Sequence, residues 1–104
     1  GIMTEIHYIL EPDDHRILAN TDEEQKAGEI NYVIKDEYWE ANHTWVNPEF
    51  RGYNIARTLV DKLADAARAA NVRILPTCSY AKHVLEKDPA FEDVLFKSEQ
   101  PEED

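Results

Sequence analysis

Cysteines and basic side chains are scarce in this sequence of 104 residues, and long apolar runs are missing. The single cysteine, Cys78, excludes an internal disulfide and any zinc site built from several cysteines. The four histidines lack the spacing of a helical metal motif, so we expect no bound metal. No apolar stretch approaches the roughly 18 residues of a membrane span, and no signal peptide is recognisable. We therefore expect a cytoplasmic protein that does not associate with membranes.

Acidic side chains outnumber basic ones by 22 to 11, which gives a formal net charge of −11. Because such a field repels a phosphate backbone and attracts cations, nucleic acid is not expected as a partner. An anionic ligand would need a local cradle of backbone N–H groups and arginines. The length favours one domain, at residues 1–96, followed by an acidic solvated tail at 97–104. We expect a monomer as the simplest state.

Apolar residues alternate with polar ones through much of the first half of the chain, which is the period of half-buried strands. Strict alternation in the last of these segments predicts that Trp39, Ala41, His43 and Trp45 share one face. The four strands are predicted at residues 5–10, 16–19, 29–35 and 38–46.

In the second half the apolar period lengthens to three or four residues, which predicts an amphipathic helix over 54–70. Asn71 suits the left-handed position that ends a helix, and a short buried strand follows at 72–75. Ser79 is a candidate cap for a second helix that runs to about Lys87. The predicted fold is α+β with layers of the α/β type: a mostly antiparallel sheet of about five strands, followed by helix, strand and helix.

The segment between the fourth strand and the first helix is a candidate anion site. The turn from strand to helix leaves the first helical N–H groups without partners, and the helix dipole adds positive charge there. Gly52 and Asn54 tolerate the positive φ angles of a sharp turn, while Arg51 and Arg57 carry full charges. A pyrophosphate would fit such a segment.

The run from Arg51 to Ala56 resembles the acetyl-CoA signature of GNAT acetyltransferases, Arg/Gln-x-x-Gly-x-Gly/Ala, with Asn54 in place of the central glycine. Together with further matches, it resembles the small GNAT-like branch that lacks the first helices and the final hairpin of the full fold. The resemblance covers residues 27–95. The further matching residues are His43, Thr44, Pro48, Ile55, Leu59 and the run Pro76–Tyr80.

The resemblance implies a minimal GNAT fold and an N-acetyltransferase that uses acetyl-CoA as co-substrate and an amine as acceptor, either a small molecule or a basic peptide. In that family the pantetheine arm lies where the fourth and fifth strands splay apart, and loop amides hold the pyrophosphate. The residues implied to bind coenzyme A are Thr44, Trp45, Val46, Phe50, Arg51, Gly52, Tyr53, Asn54, Ile55, Ala56, Arg57, Cys78 and Ser79.

Larger family members use a tyrosine on the second helix as the acid, and here Leu85 occupies the matching place. The candidates that remain are Cys78, as leaving-group acid, acyl-accepting nucleophile or core residue, and His43, as general base or packed histidine. A module that binds coenzyme A or acyl-CoA without turnover is the alternative function.

Overall fold

The computed structural model describes residues 4–97, so all of the predicted acidic tail except Lys97 lies outside the described residues. No helix in this described range is both long and apolar enough to span a bilayer. The elements are β1 (Ile6–Glu11), β2 (Arg16–Thr21), β3 (Lys26–Ile34), β4 (Tyr38–Val46), α1 (Ile55–Ala70), β5 (Arg73–Pro76) and α2 (Ser79–Lys87).

The five strands form one sheet in the order β1-β2-β3-β4-β5. Consecutive strands from β1 to β4 pair antiparallel, whereas β5 pairs parallel to β4. The connection from β4 to β5 is therefore a crossover that contains α1. This architecture confirms the predicted class, a mostly antiparallel five-stranded sheet followed by helix, strand and helix.

Both helices contribute to a single hydrophobic core with the sheet. The apolar stripe of α1 is fully buried and packs across β2, β3 and β4, while α2 packs against α1 and β5. Ile30 and Tyr32 of β3 point into this core. The side chains that alternate with them belong to the other face of the sheet, here called the open face, which is represented by Glu29, Asn31, His43 and Trp45.

Gly28 lies where α1 comes closest to the sheet. A Cβ atom there would lie 2.9 Å from Ile55 Cγ2 and 2.9 Å from the backbone oxygen of Trp45. Gly28→Ala is therefore expected to lower the free energy of unfolding by about 1–3 kcal/mol, the usual cost of overpacking. Urea denaturation measures this change, with the exposed Glu86→Ala as a control expected to stay within about 0.5 kcal/mol. An unchanged Gly28→Ala midpoint would contradict this close approach.

A β-bulge interrupts the pairing of β3 with β4. Asn31 pairs with His43, but the next residue, Tyr32, pairs with Ala41. Asn42 is thus an extra residue in β4 with no counterpart in β3. Because side chains alternate with a period of two, one inserted residue exchanges the faces of all residues beyond it.

The bulge makes the predicted common face of the fourth strand wrong. Trp39 lies on the core side, where its ring stacks on Tyr32 with centroids 4.5 Å apart. His43 and Trp45 lie on the open face instead, and His43 Nδ1 is 2.7 Å from the side-chain oxygen of Asn31. Alternation in the sequence could not show this, because the extra residue is defined only by the pairing with β3.

Candidate active site

The loop between β4 and α1 uses two left-handed backbone positions to turn the chain. A short 3-10 turn at Pro48–Phe50 is followed by Gly52 with φ 88° and by Asn54 with φ 59°. Asn54 adopts the conformation expected of it and serves as the N-cap of α1, without a capping hydrogen bond from its side chain. An asparagine is one of the few residues that takes this conformation at low cost.

The start of α1 presents a group of unpaired amides. Within residues 4–97, no protein acceptor is within hydrogen-bonding distance of the amides of Gly52, Asn54, Ile55, Ala56 and Arg57. No acidic residue lies in the first turn of α1, so the positive end of the helix dipole is not neutralised there. A Cβ added to Gly52 would meet no atom within 4 Å. These residues, here called the amide cradle, therefore offer the donors that a diphosphate needs, and Gly52 leaves the approach to them open.

The two arginines of the loop differ in what they contact. The guanidinium of Arg57 is paired with Asp88 at the end of α2 and with Asp61 one turn along α1. Its charge is already neutralised, so only its amide remains available to the cradle. Arg51 is exposed and makes no ion pair among the described residues, which leaves it as the free cation of the loop.

The edge of β4 that faces away from β3 is uncovered near its end. The amide of Asn47 donates to the backbone oxygen of Ala27 at 2.8 Å. Alternation along an antiparallel pair then directs the N–H and C=O groups of Thr44 and Val46 to the opposite edge. Because β5 ends at Pro76, no described strand pairs with β4 there. The space beside this unpaired edge of β4, beyond the end of β5, is here called the gap.

Cys78 lies across this gap, at the N-cap of α2. Its thiol is 3.5 Å from the hydroxyl of Thr44. Burial raises the pKa of Cys78, but hydrogen bonds from the amides of Ala81 and Tyr80 and from Thr44 outweigh this effect, so the pKa lies below its ordinary value. The prediction that Ser79 caps α2 is wrong, because the helix begins at Ser79 and Cys78 holds the cap position.

His43 and Cys78 lie on opposite sides of β4. The thiol contacts Thr44, whose strand partner Ile30 is fully buried on the core side. The imidazole of His43 points to the open face, and 55% of its side chain is accessible. The two predicted catalytic residues therefore flank the gap without contacting one another.

A family model described as GCN5-related N-acetyl-transferase matches residues 16–94. The chain belongs to the GCN5-related N-acetyltransferase family. No curated protein matches the sequence. The match includes β2 to β5, both helices and the amide cradle.

Solved structures share the fold of this GCN5-related chain. A GCN5-like protein from Staphylococcus aureus, proposed to be an N-acetyltransferase, has a TM-score of 0.72 at 28% identity, over 94% of this chain and 95% of that one. A ribosomal-protein-alanine N-acetyltransferase from Brucella melitensis biovar Abortus 2308 has a TM-score of 0.60 at 17% identity, over 85% and 64%. A predicted acetyltransferase with acetyl-CoA from Clostridium acetobutylicum has a TM-score of 0.51 at 15% identity, over 88% and 65%.

The leucine at the place of the family tyrosine has no role in the gap of this GCN5-related protein. Leu85 is 1% exposed and packs in the core. An aliphatic side chain also has no proton to donate. Leu85 therefore cannot act as a general acid.

Sequence reasoning missed the partners of His43, namely Asn31 and Glu29 on β3. No local pattern marks them, because they become neighbours of His43 only through strand register. Strand pairing also places ligand atoms of the exposed residues Glu5, His7 and Asp22 within 4.8 Å of one another. Their spacing in the sequence gave no sign of this, and the absence of a bound metal stays a prediction.

Proposed function

We propose that this chain transfers an acetyl group from acetyl-CoA to an amine. The amide cradle carries the proposal, because unpaired N–H groups beside an uncompensated helix dipole form a site for a pyrophosphate. The predicted acetyltransferase with acetyl-CoA from Clostridium acetobutylicum shares the fold, which supports the same co-substrate here.

Two parts of coenzyme A, the diphosphate and the pantetheine arm, have a proposed place in the site. The diphosphate accepts hydrogen bonds from the amide cradle and is paired by Arg51. The pantetheine arm runs along the uncovered edge of β4, where its amides bond to backbone groups of Thr44 and Val46. The remaining residues that the family resemblance implies shape the walls of the site with their side chains. They are Trp45, Phe50, Tyr53 and Ser79.

The acetyl group lies at the gap beside Thr44, between Cys78 on the core side of β4 and His43 on the open face. His43 accepts a proton from the ammonium form of the amine, and the lone pair that this frees attacks the thioester carbonyl carbon. A C–N bond forms, the C–S bond breaks, Cys78 donates a proton to the departing sulfur, and the second proton of the amine nitrogen passes to solvent. The lowered pKa of Cys78 suits this transfer, because the amides that stabilise its thiolate make the thiol a better acid.

The acceptor is a cationic amine, since the net charge of −11 attracts cations to the protein. A small amine and a basic peptide share this chemistry. The same field disfavours nucleic acid as a substrate. The chain acts as a monomer in this proposal, with all groups that bind or react supplied by residues 43–79.

Gly52→Asp and Gly52→Asn form a matched pair that tests the amide cradle. Both side chains tolerate positive φ, and both enter open space, so the fold should be retained. The aspartate places a negative charge beside the diphosphate, which should weaken coenzyme A binding by on the order of 2 kcal/mol, about thirtyfold, relative to the asparagine. Isothermal titration calorimetry measures the difference. Equal affinities in the two variants would contradict a phosphate site at Gly52.

Turnover is measured as release of free thiol from acetyl-CoA in the presence of a panel of amines. We expect saturable release that an amine accelerates, and a loss of that release in Gly52→Asp at limiting acetyl-CoA. Binding of acetyl-CoA without turnover across the panel would contradict the enzyme and favour a non-catalytic binding module. A wild-type protein that neither binds nor reacts would contradict both functions.

A further inference from the structure

The imidazole of His43 is held at one nitrogen by Asn31 of β3, and the carboxylate of Glu29 lies near the same nitrogen. The Nδ1 atom lies 2.7 Å from Asn31 Oδ1 and 3.9 Å from a carboxylate oxygen of Glu29. A carbonyl oxygen and a carboxylate can only accept a hydrogen bond. The proton of the neutral imidazole is therefore on Nδ1, and Nε2 presents its lone pair to the open face.

Glu29 is largely buried and lies beside two cations, which distinguishes it from an ordinary surface carboxylate. Only 13% of its side chain is accessible, and its other carboxylate oxygen lies 2.8 Å from Lys26 Nζ and 3.6 Å from Arg16 Nη1. These two cations offset the cost of its burial. The charged group nearest His43 is thus the carboxylate of Glu29, and the cations Lys26 and Arg16 lie on the far side of that carboxylate.

The bulge at Asn42 makes this arrangement possible. Asn31 stands directly opposite His43 in the register, and the pairing shifts immediately after this pair. Because of this shift His43 points to the open face, whereas Ala41, before the bulge, points into the core. A regular β4 would direct the imidazole into the core beside Ala41, away from Asn31.

We propose that Asn31 is a positioning residue that holds His43 in the Nδ1–H tautomer, and that the negative charge of Glu29, 3.9 Å from the same nitrogen, favours the proton there. Nε2 is then the atom that takes the proton of the acceptor amine, and the amine approaches from the open face. The catalytic consequence rests on the proposed function, whereas the tautomer is a property of the free protein. In catalysis a carbonyl or carboxylate at one imidazole nitrogen sets the role of the other.

The tautomer is tested on the free wild-type protein by long-range ¹H–¹⁵N NMR correlation at a pH where His43 is neutral. We expect the shifts of an Nδ1–H imidazole, and in Asn31→Leu a loss of that preference. Asn31→Asp keeps the accepting oxygen and should retain the wild-type tautomer. An Nε2–H imidazole in the wild type would overturn the proposal, whether or not the protein turns over acetyl-CoA.

Kinetics with the best acceptor of the amine panel test the consequence. Asn31→Leu should lower kcat by about 10–100-fold, the range seen when a residue that orients a histidine is removed. The KM for acetyl-CoA should not change, and Asn31→Asp should recover most of the rate. An Asn31→Leu enzyme with full kcat, or a loss that Asn31→Asp does not recover, would overturn the positioning role. Failure of the wild type to react with any amine would instead contradict the proposed function and leave the NMR result to decide the tautomer.

Discussion

Replacing His43 with glutamine is expected to lower kcat by about 10²–10⁴-fold, the contribution of a well-placed general base. Glutamine is similar in length and can still hydrogen-bond to Asn31, but it cannot take a proton from an amine. Coenzyme A affinity should not change, because the imidazole lies on the open face and the amide cradle lies at the start of α1. Steady-state kinetics and calorimetry on the same preparation measure the two quantities.

His83→Gln is the matched control for this experiment. His83 is exposed on α2 and has no part in the proposed chemistry, so its replacement should leave kcat and binding as they are. Full activity in His43→Gln would show that His43 is not the general base. A parallel loss in both variants would show that the effect is not specific to the open face of β4.

Replacing Cys78 with alanine is expected to reduce turnover by about a hundredfold, because the leaving thiolate loses its proton donor. Cys78→Ser should be about as slow, since a hydroxyl is a far weaker acid than a thiol whose pKa is lowered. Binding of coenzyme A should change much less than turnover, because the amides that hold the phosphates are untouched. The ratio of the two effects separates a chemical role from a packing role.

Mass spectrometry of the wild-type protein after incubation with acetyl-CoA completes the test of Cys78. The proposed direct transfer leaves the protein unmodified. Slow release of thiol without an amine, together with one added acetyl group on Cys78, would show that the thiol attacks the thioester instead of donating a proton. Full turnover in Cys78→Ala would show that Cys78 has no chemical role and only packs between α2 and β4.

Patterns that depend on near neighbours in the chain predicted most of the fold. Strand and helix periods follow from which face of a single element is buried, so the five strands and both helices could be placed to within a few residues. The left-handed conformations of Asn54 and Asn71 were predictable for the same reason, because side-chain and backbone sterics of one residue decide them. The family resemblance likewise lay in one contiguous loop and one short run.

Features of the site that depend on distant segments were not predictable in this way. The pairing of Arg57 with Asp88 joins residues from two helices and removes a charge that the loop sequence had suggested for the phosphates. The exact start of α2 placed Cys78 at the cap, where helix amides reach its sulfur. Such contacts are settled by packing between elements, and no local pattern encodes them.

The sequence by itself determined the layered fold, the sharp turn from β4 to α1 and the residue types available for chemistry. The tertiary structure alone decided that His43 and Cys78 lie on opposite sides of β4. One unpaired residue, Asn42, moves His43 to the open face and sets it opposite Asn31. The physical reason is that the register of a sheet is a property of two strands together, and alternation within either strand is the same with or without the bulge.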